Sequence, residues 1–365
     1  MKSDSEIIPL RVLIAGGGTG GHVFPGIAIA HGIRKRYPRG EILFVGTKQG
    51  LEGKVVPSQG FTLETITVSG LKGVKGINKL RGLLAVPKSL WGARKILRRF
   101  RPHIVVGVGG YSSGPPVLMA FLAGIPTLLQ EQNALPGFTN RLLAPFSHRV
   151  ATAFKECELY FGKKAVLTGN PVRADFERMP PKIGREKFVL LIFGGSQGSQ
   201  AINKAMVEAL ELLRPHFSIM FFVHQTGEKD YHWVSKSYGD LGASSDVRPF
   251  FNDMPAQFSQ ADLLLCRSGA TTLAEITVAG KAAILVPFPL ATDNHQQKNA
   301  EALVKAGAAE MILQRDLTGE KLSARIKYYW QHREELTRME EKSRGLGCPD
   351  STERIVNLLE DLVHV

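Results

Sequence analysis

The chain lacks the features of a disulfide-stapled or metal-built protein. Its 365 residues include only three cysteines, Cys157, Cys266 and Cys348, far apart and odd in number. Such a set builds no disulfide framework and no paired ligand spacing, so a reducing compartment is expected and no metal site is. No Asp-x-Asp pair is present either. The opening, MKSDSEIIPLRVLIAGG, has acids where a secretion signal needs a basic region and then a longer apolar one, and reads as a short tail ahead of a strand. Long apolar runs are also missing. Residues 102 to 130 carry no Asp, Glu, Lys or Arg, yet Gly107 to Pro116 breaks them with glycine, serine and proline, below the roughly 18 apolar residues a membrane helix needs.

Negative charge is absent from one whole region. Between Glu64 and Glu131 there is no acid, while Lys72, Lys75, Lys79, Arg81, Lys88, Arg94, Lys95, Arg98, Arg99 and Arg101 supply most of the chain's net charge of +13. A block of one sign points to an anionic partner: a phosphorylated substrate, an anionic membrane or a nucleic acid. Ile77, Leu80, Leu83, Leu84 and Trp91 lie among the basic residues. Large apolar side chains there suit a patch resting on an anionic bilayer better than an aqueous nucleic-acid groove, so a lipid surface is expected and no nucleic acid.

What is present is glycine, 38 residues of it, placed at the ends of apolar runs. Val12-Leu-Ile-Ala15 leads into Gly16-Gly-Gly-Thr-Gly-Gly-His22 and a helical stretch. A buried parallel strand that turns through glycines into a helix start exposes unpaired N–H groups, which favour an anion. The spacing is neither a dinucleotide fingerprint nor a Walker A loop. His22 is the only titratable group in that turn, and packing or capping would explain it as well as chemistry. Gly109-Gly110-Tyr111 follows a second strand, and Glu131-Gln132-Asn133 follows a third, on the edge of the sheet that carries ligands. Lys54 to Ser69 reads as shorter strand-like pieces, a charged helix is expected around 318–344, and a charged, proline-containing stretch from 174 to 187 reads as an exposed connection.

The pattern then restarts. Phe188–Phe193 runs into Gly194-Gly-Ser196-Gln197-Gly198-Ser199 and another helix. Two α/β domains of parallel sheets with a site at their glycine-rich edges are implied. Arg267-Ser268-Gly269-Ala270-Thr271-Thr272-Leu273-Ala274-Glu275 opens a further helix that can receive phosphate, with Glu275 either on a ribose diol or as a first-turn acid. The expected boundaries are an N-terminal domain over 1–170, a linker over 171–187, a C-terminal domain over 188–345, and a helix over 346–365 that packs back toward the N-terminal domain.

The ordered set Gly17-Gly-Thr19-Gly20-Gly21-His22, Gly109-Gly110-Tyr111, Glu131-Gln132-Asn133, Asn170-Pro-Val-Arg173, Gly194-Gly-Ser196-Gln197-Gly198 and Ser268-Gly269-Ala270 with Glu275 resembles the MurG family. These bacterial cell-wall enzymes add N-acetylglucosamine to undecaprenyl-pyrophosphoryl-N-acetylmuramoyl-pentapeptide. The resemblance covers nearly the whole chain. It implies a GT-B fold, with the lipid acceptor on the N-terminal domain near Thr19, Gly20, Gly21, Gly109, Gly110, Tyr111, Glu131 and Asn133. UDP-N-acetylglucosamine would lie on the C-terminal domain. Ser196 and the 269–272 loop would meet the diphosphate, Phe251 would address the uracil through its backbone and Glu275 would hold the ribose, with Gln197, Gly198, Ser268, Leu273 and Ala274 also in the donor site. Arg173, His295 and either Gln296 or Gln297 would complete the donor site. No cofactor is implied. A peripheral place on the cytoplasmic face of the cell membrane is, with cell-wall synthesis or division proteins as partners.

Inversion at the sugar carbon requires an acceptor hydroxyl to attack opposite the departing UDP. His22 is the candidate base, and helix starts with Arg173 would stabilise the leaving anion. A UDP-N-acetylglucosamine 2-epimerase would share this two-domain appearance but needs several catalytic carboxylates around one sugar. A non-enzymatic polyanion binder would use Lys72 to Arg101 and has no need of paired glycine-rich loops.

Overall fold

A computed structural model describes residues 9–68, 77–177, 179 and 187–363; for 77–85, 174 and 177 it describes the backbone alone. The chain divides into two compact units, 1–172 with 350–365, and 173–349. The first holds seven strands: β1 (Arg11–Ala15), β2 (Glu41–Gly46), β3 (Thr62–Thr65), β4 (Ile104–Gly107), β5 (Thr127–Glu131), β6 (Arg149–Thr152) and β7 (Ala165–Leu167). They form one sheet in the order β3-β2-β1-β4-β5-β6-β7, and every pairing is parallel. The second holds β8 (Phe188–Phe193), β9 (Met220–Gln225), β10 (Ser245–Arg248), β11 (Leu263–Cys266), β12 (Ala283–Leu285) and β13 (Glu310–Met311), ordered β10-β9-β8-β11-β12-β13, again all parallel.

In both sheets the strand order reverses beside the first strand of the unit. Chain crossovers leave β1 and β4, and likewise β8 and β11, as neighbours at the reversal, so that their following loops come together at one edge of the sheet. β1 is apolar on both faces because both are covered. Val12 and Ile14 pack with Val23, Ile27 and Ala30 of the helix Gly20–Arg36, and Leu13 and Ala15 pack with Ile96, Leu97, Val117 and Ala120. Phe188, Leu190 and Ile192 of β8 play the same part with Ile202, Met206 and Leu210 of the helix Gln200–Leu213.

The final helix, Ser351–Val363, belongs to the first unit and buries Ile355, Val356 and Leu359 in its core. Arg36 donates to Glu360 at 3.1 Å and to Asn357 at 3.1 Å, and the Tyr37 hydroxyl donates to Glu360 at 2.6 Å.

Several local elements differ from the sequence reading. Residues after Lys54, read as strand-like pieces, include the helix Glu52–Ser58 before β3, which runs through Pro57 and stops before Gly60 at φ +73°. The helix expected over about 318–344 is two, Gly319–Gln331 and Arg333–Leu346, broken at His332 with φ −116° and ψ 70°. The stretch read as an exposed connection begins as the short helix Ala174–Glu177, whose Phe176 is buried edge-on against Phe258 at 5.1 Å.

Candidate active site

In the first unit, β1 passes into Gly16–Thr19 and the helix Gly20–Arg36 with no side-chain cap. The Gly20 and Gly21 N–H groups of its first turn are therefore open to an anion, while the His22 N–H donates to the Thr19 carbonyl at 3.1 Å. The loop after β4 locks onto this turn, because β4 pairs directly with β1. Gly110, at φ +78°, lies so near that a Cβ would sit 2.5 Å from the Gly17 carbonyl oxygen, and one on Gly109 would sit 2.7 Å from the His22 ring. Glycine is required at both positions by φ and by space. Tyr111 stands at the rim, 40% exposed.

His22 is partly buried, with Nδ1 3.2 Å from the Gly17 carbonyl oxygen and 3.3 Å from the Thr19 hydroxyl. The Thr19 hydroxyl can donate to an unprotonated Nδ1, but the Gly17 carbonyl only accepts, and a hydrogen bond to it puts the proton on Nδ1 and the ring's lone pair on Nε2. That is the form a general base takes.

Glu131, expected on the ligand edge, turns inward, while Asn133 beside it, expected there too, is only half-buried. Glu131 is 1% exposed and accepts from the Asn133 N–H at 3.0 Å, the Gly137 N–H at 3.0 Å and Asn140 Nδ2 at 2.9 Å. Burial pushes its carboxyl up, against these hydrogen bonds. Its side chain builds the 131–140 loop rather than reaching a substrate hydroxyl. Gln132 Nε2 donates to the Val108 carbonyl at 2.7 Å, tying this loop to the residue before Gly109.

In the second unit, the loops after β8 and β11 enclose a cavity of about 660 Å³ lined by Gly194, Gly195, Gly198, Lys204, Arg267, Gly269, Thr272, Phe288 and Gln296 among others. Two helix starts meet there. Ser199 caps Gln200–Leu213 by accepting from the Ile202 N–H at 3.4 Å, whereas Ala270–Ala279 has no side-chain cap. Thr271 Oγ is buried with no hydrogen-bond partner among the described residues. Gly198, at φ +72°, runs against β9's end: a Cβ would lie 1.9 Å from the Thr226 carbonyl oxygen. Ser196 and Gln197 are exposed on the same loop.

One cavity cation, Lys204, escaped the sequence reading, and Arg267, named there only as the start of the 267–275 loop, was given no role of its own. Lys204 projects from the second turn of its helix, and Arg267 directly follows β11. Arg267 donates to the Val286 and Pro287 carbonyls at 3.1 Å and to Gln314 Oε1 at 2.7 Å, and burial lowers its pKa to about 10. Lys204 had a signal, a lone cation one turn inside the helix after a glycine loop.

Gln225 bridges the site's far wall. Its Nε2 donates to the Gly195 carbonyl at 3.0 Å and its Oε1 accepts from the Phe251 N–H at 2.9 Å. Phe251 is thus buried with its N–H engaged. Ser268 is also buried, its hydroxyl donating to the Gln296 carbonyl at 2.8 Å. Gln296 faces the cavity with Oε1 accepting from the Phe288 N–H at 2.9 Å, whereas Gln297 is held by Asn294 at 2.8 Å and Glu301 at 2.9 Å. His295 Nδ1 donates to the Thr292 carbonyl at 2.7 Å, on the turn that precedes Gln296.

Glu275 lies in the second turn of Ala270–Ala279, beyond the reach of a first-turn role. It is 9% exposed and its Oε1 is 3.4 Å from Arg173 Nε. Burial pushes its carboxyl up to about 7, and Arg173 offsets part of that. Arg173 also stacks over Phe176 at 5.1 Å.

Of the apolar set, the side chains of Ile77, Leu80, Leu83 and Leu84 lie outside the described residues. Trp91, on the helix Ile77–Phe100, is 67% exposed with Lys95 Nζ 5.7 Å from its ring. No described helix is long and apolar enough to cross a membrane. Among the described residues no three His, Cys, Asp or Glu side chains group to hold a metal ion.

Residues 12–152 match the glycosyltransferase family 28 N-terminal domain and residues 189–355 the glycosyltransferase family 28 C-terminal domain. With two parallel-sheet units and a helix-start cavity, this defines a glycosyltransferase of the GT-B fold. The chain is 50% identical, over 97% of its length and 94% of the relative's, to the N-acetylmuramyl-(pentapeptide) pyrophosphoryl-undecaprenol N-acetylglucosamine transferase of Anaeromyxobacter sp. (strain Fw109-5). It superposes on the crystal structure of Acinetobacter baumannii MurG with a TM-score of 0.82 at 31% identity, covering 97% of this chain and 100% of that one. The chain belongs to the MurG family. The UDP-GlcNAc 2-epimerase of Neisseria meningitidis shares the fold alone, with a TM-score of 0.66 at 14% identity, covering 97% of this chain and 100% of that one.

Proposed function

We propose that the chain transfers N-acetylglucosamine, with inversion, from UDP-N-acetylglucosamine to undecaprenyl-pyrophosphoryl-N-acetylmuramoyl-pentapeptide, giving the disaccharide-lipid precursor of peptidoglycan. Family membership at 50% identity carries the reaction, and the cavity where two helix starts meet carries the donor's place. The diphosphate suits the open N–H groups at Ala270, the Thr271 and Thr272 hydroxyls and Lys204, where charge developing on departing UDP would be stabilised. Glu275, when ionised, accepts from a ribose diol. Phe251 offers uracil its carbonyl, and Gln296 rather than Gln297 is placed for the sugar.

The acceptor diphosphate is assigned to the turns at Thr19–Gly21 and Gly109–Tyr111, with His22 Nε2 taking the proton from the attacking hydroxyl. Trp91 and the basic stretch around it suit an anionic leaflet, which for this reaction is the cytoplasmic face of the membrane. Proteins of cell-wall synthesis or division are the partners this place implies.

The test of the donor assignment is Lys204→Gln. Its KM for UDP-N-acetylglucosamine should rise about tenfold, the equivalent of one charge-assisted hydrogen bond, with acceptor KM unchanged. An unchanged donor KM moves the diphosphate elsewhere.

A further inference from the structure

Besides Glu131, the mechanism leaves a second buried carboxylate of the first unit unused. Glu52 opens the helix Glu52–Ser58, thirty-four positions from the glycine turn, and is 1% exposed. Its Oε2 accepts from the Gly18 N–H at 2.8 Å, and its Oε1 accepts from the Thr47 N–H at 2.8 Å and the Thr47 hydroxyl at 2.9 Å. Three glycines wall it in. A Cβ on Gly17, Gly46 or Gly50 would fall 2.3, 2.5 or 2.0 Å from its side chain. β2 runs beside β1, so the loop after β2 delivers this carboxylate beneath the loop after β1.

The Gly18 N–H and the Gly17 carbonyl are two ends of one peptide group. In a trans peptide they point to opposite sides. Glu52 holds one end, and His22 Nδ1 lies 3.2 Å from the other. With glycine on both sides, and Gly18 at φ +90°, that peptide has no side chain of its own to fix its plane. The geometry points to Glu52 as a positioning residue that, through the Gly17–Gly18 peptide, holds His22 in the Nδ1–H form and leaves Nε2 as the proton acceptor. A carboxylate on the N–H also polarises the peptide, making its carbonyl a stronger acceptor for the His22 proton. The arrangement does through a peptide what a carboxylate does directly when it fixes the tautomer of a catalytic histidine. Burial by itself would raise the Glu52 pKa; the hydrogen bonds from Gly18 and Thr47 bring it below the usual glutamate value, keeping the carboxylate ionised.

This assignment rests on the reading of His22 as general base, and the experiment separates the two. In protein labelled with ¹⁵N at histidine, the His22 ring nitrogens are read by NMR in the parent and in Glu52→Gln, whose amide must set a donor against either Gly18 or Thr47. The parent should show the Nδ1–H form, and Glu52→Gln a mixture of both. Its kcat should fall about tenfold or more, part of a general-base contribution, with donor KM within about twofold. In a His22→Ala background the same substitution should change kcat no further. An Nε2–H form in the parent, or an unchanged tautomer in Glu52→Gln, overturns the assignment, as does a kcat loss that persists undiminished without His22. If His22→Ala leaves kcat intact, the general-base reading fails and the tautomer alone decides the role of Glu52. Should Glu52→Gln not fold, Glu52→Asp withdraws the carboxylate by one methylene and is held to the same outcomes.

Discussion

Glu275 is poised between its two charge states. Its carboxyl is raised to about 7 by burial, so in the ligand-free protein it binds a proton that the unfolded chain releases at the ordinary glutamate value. Its contribution to stability is therefore greatest in acid and declines as pH rises from that value through about 7. Donor binding should run the other way, because a ribose diol donates to the ionised form. Titration calorimetry with UDP-N-acetylglucosamine should show affinity rising up to about tenfold from pH 6 to 8, one pKa unit's worth of ionisation. Glu275→Gln should flatten the profile, and Glu275→Ala should weaken binding by roughly 1–3 kcal/mol, the cost of leaving a buried partner unpaired. A pH-independent parent would remove Glu275 from the ribose. His22→Ala should lower kcat about 100-fold or more while donor affinity stays near the parent's. His22 and Glu275 were visible in the sequence because each sits beside a local glycine signal. Glu52 and Gln225 were not, since only strand pairing brings them to loops tens of residues away.

The strand-loop-helix units were legible as elements because an apolar run, a glycine cluster and a helical repeat are all local patterns. The helix Glu52–Ser58 was missed because Gly53 and Pro57 mask its short repeat, and His332 breaks a charged helix without a glycine or proline to announce it. The inward turn of Glu131 was also illegible, being decided by Asn140 and Gly137 downstream. Gly198 offers the test at this scale. Gly198→Ala forces a Cβ toward the Thr226 carbonyl at a positive φ, and the loop has backbone on the opposing side. Overpacking and left-handed strain should together cost about 2–4 kcal/mol in urea unfolding, and donor KM should rise with it. Full stability would mean that the loop relaxes freely and does not preform the site.

For the whole molecule, the sheet order explains why distant glycine loops form two sites: each pair follows neighbouring strands at a point where the order reverses. A net charge of +13 concentrated before β4, with Trp91 exposed among it, predicts binding to anionic vesicles that weakens with salt. Trp91→Ser should reduce vesicle binding several-fold at fixed charge, as expected for one aromatic ring withdrawn from the interface. Binding equal to the parent's would place the contact on another face. The most direct measurement of the whole account is product analysis: the purified chain, UDP-N-acetylglucosamine labelled in the sugar, and the undecaprenyl-linked muramoyl-pentapeptide in vesicles. Label should appear in a lipid-linked disaccharide with a β linkage, formed in step with UDP and lost in His22→Ala. Label appearing instead in UDP-N-acetylmannosamine, or an α-linked product, would contradict it.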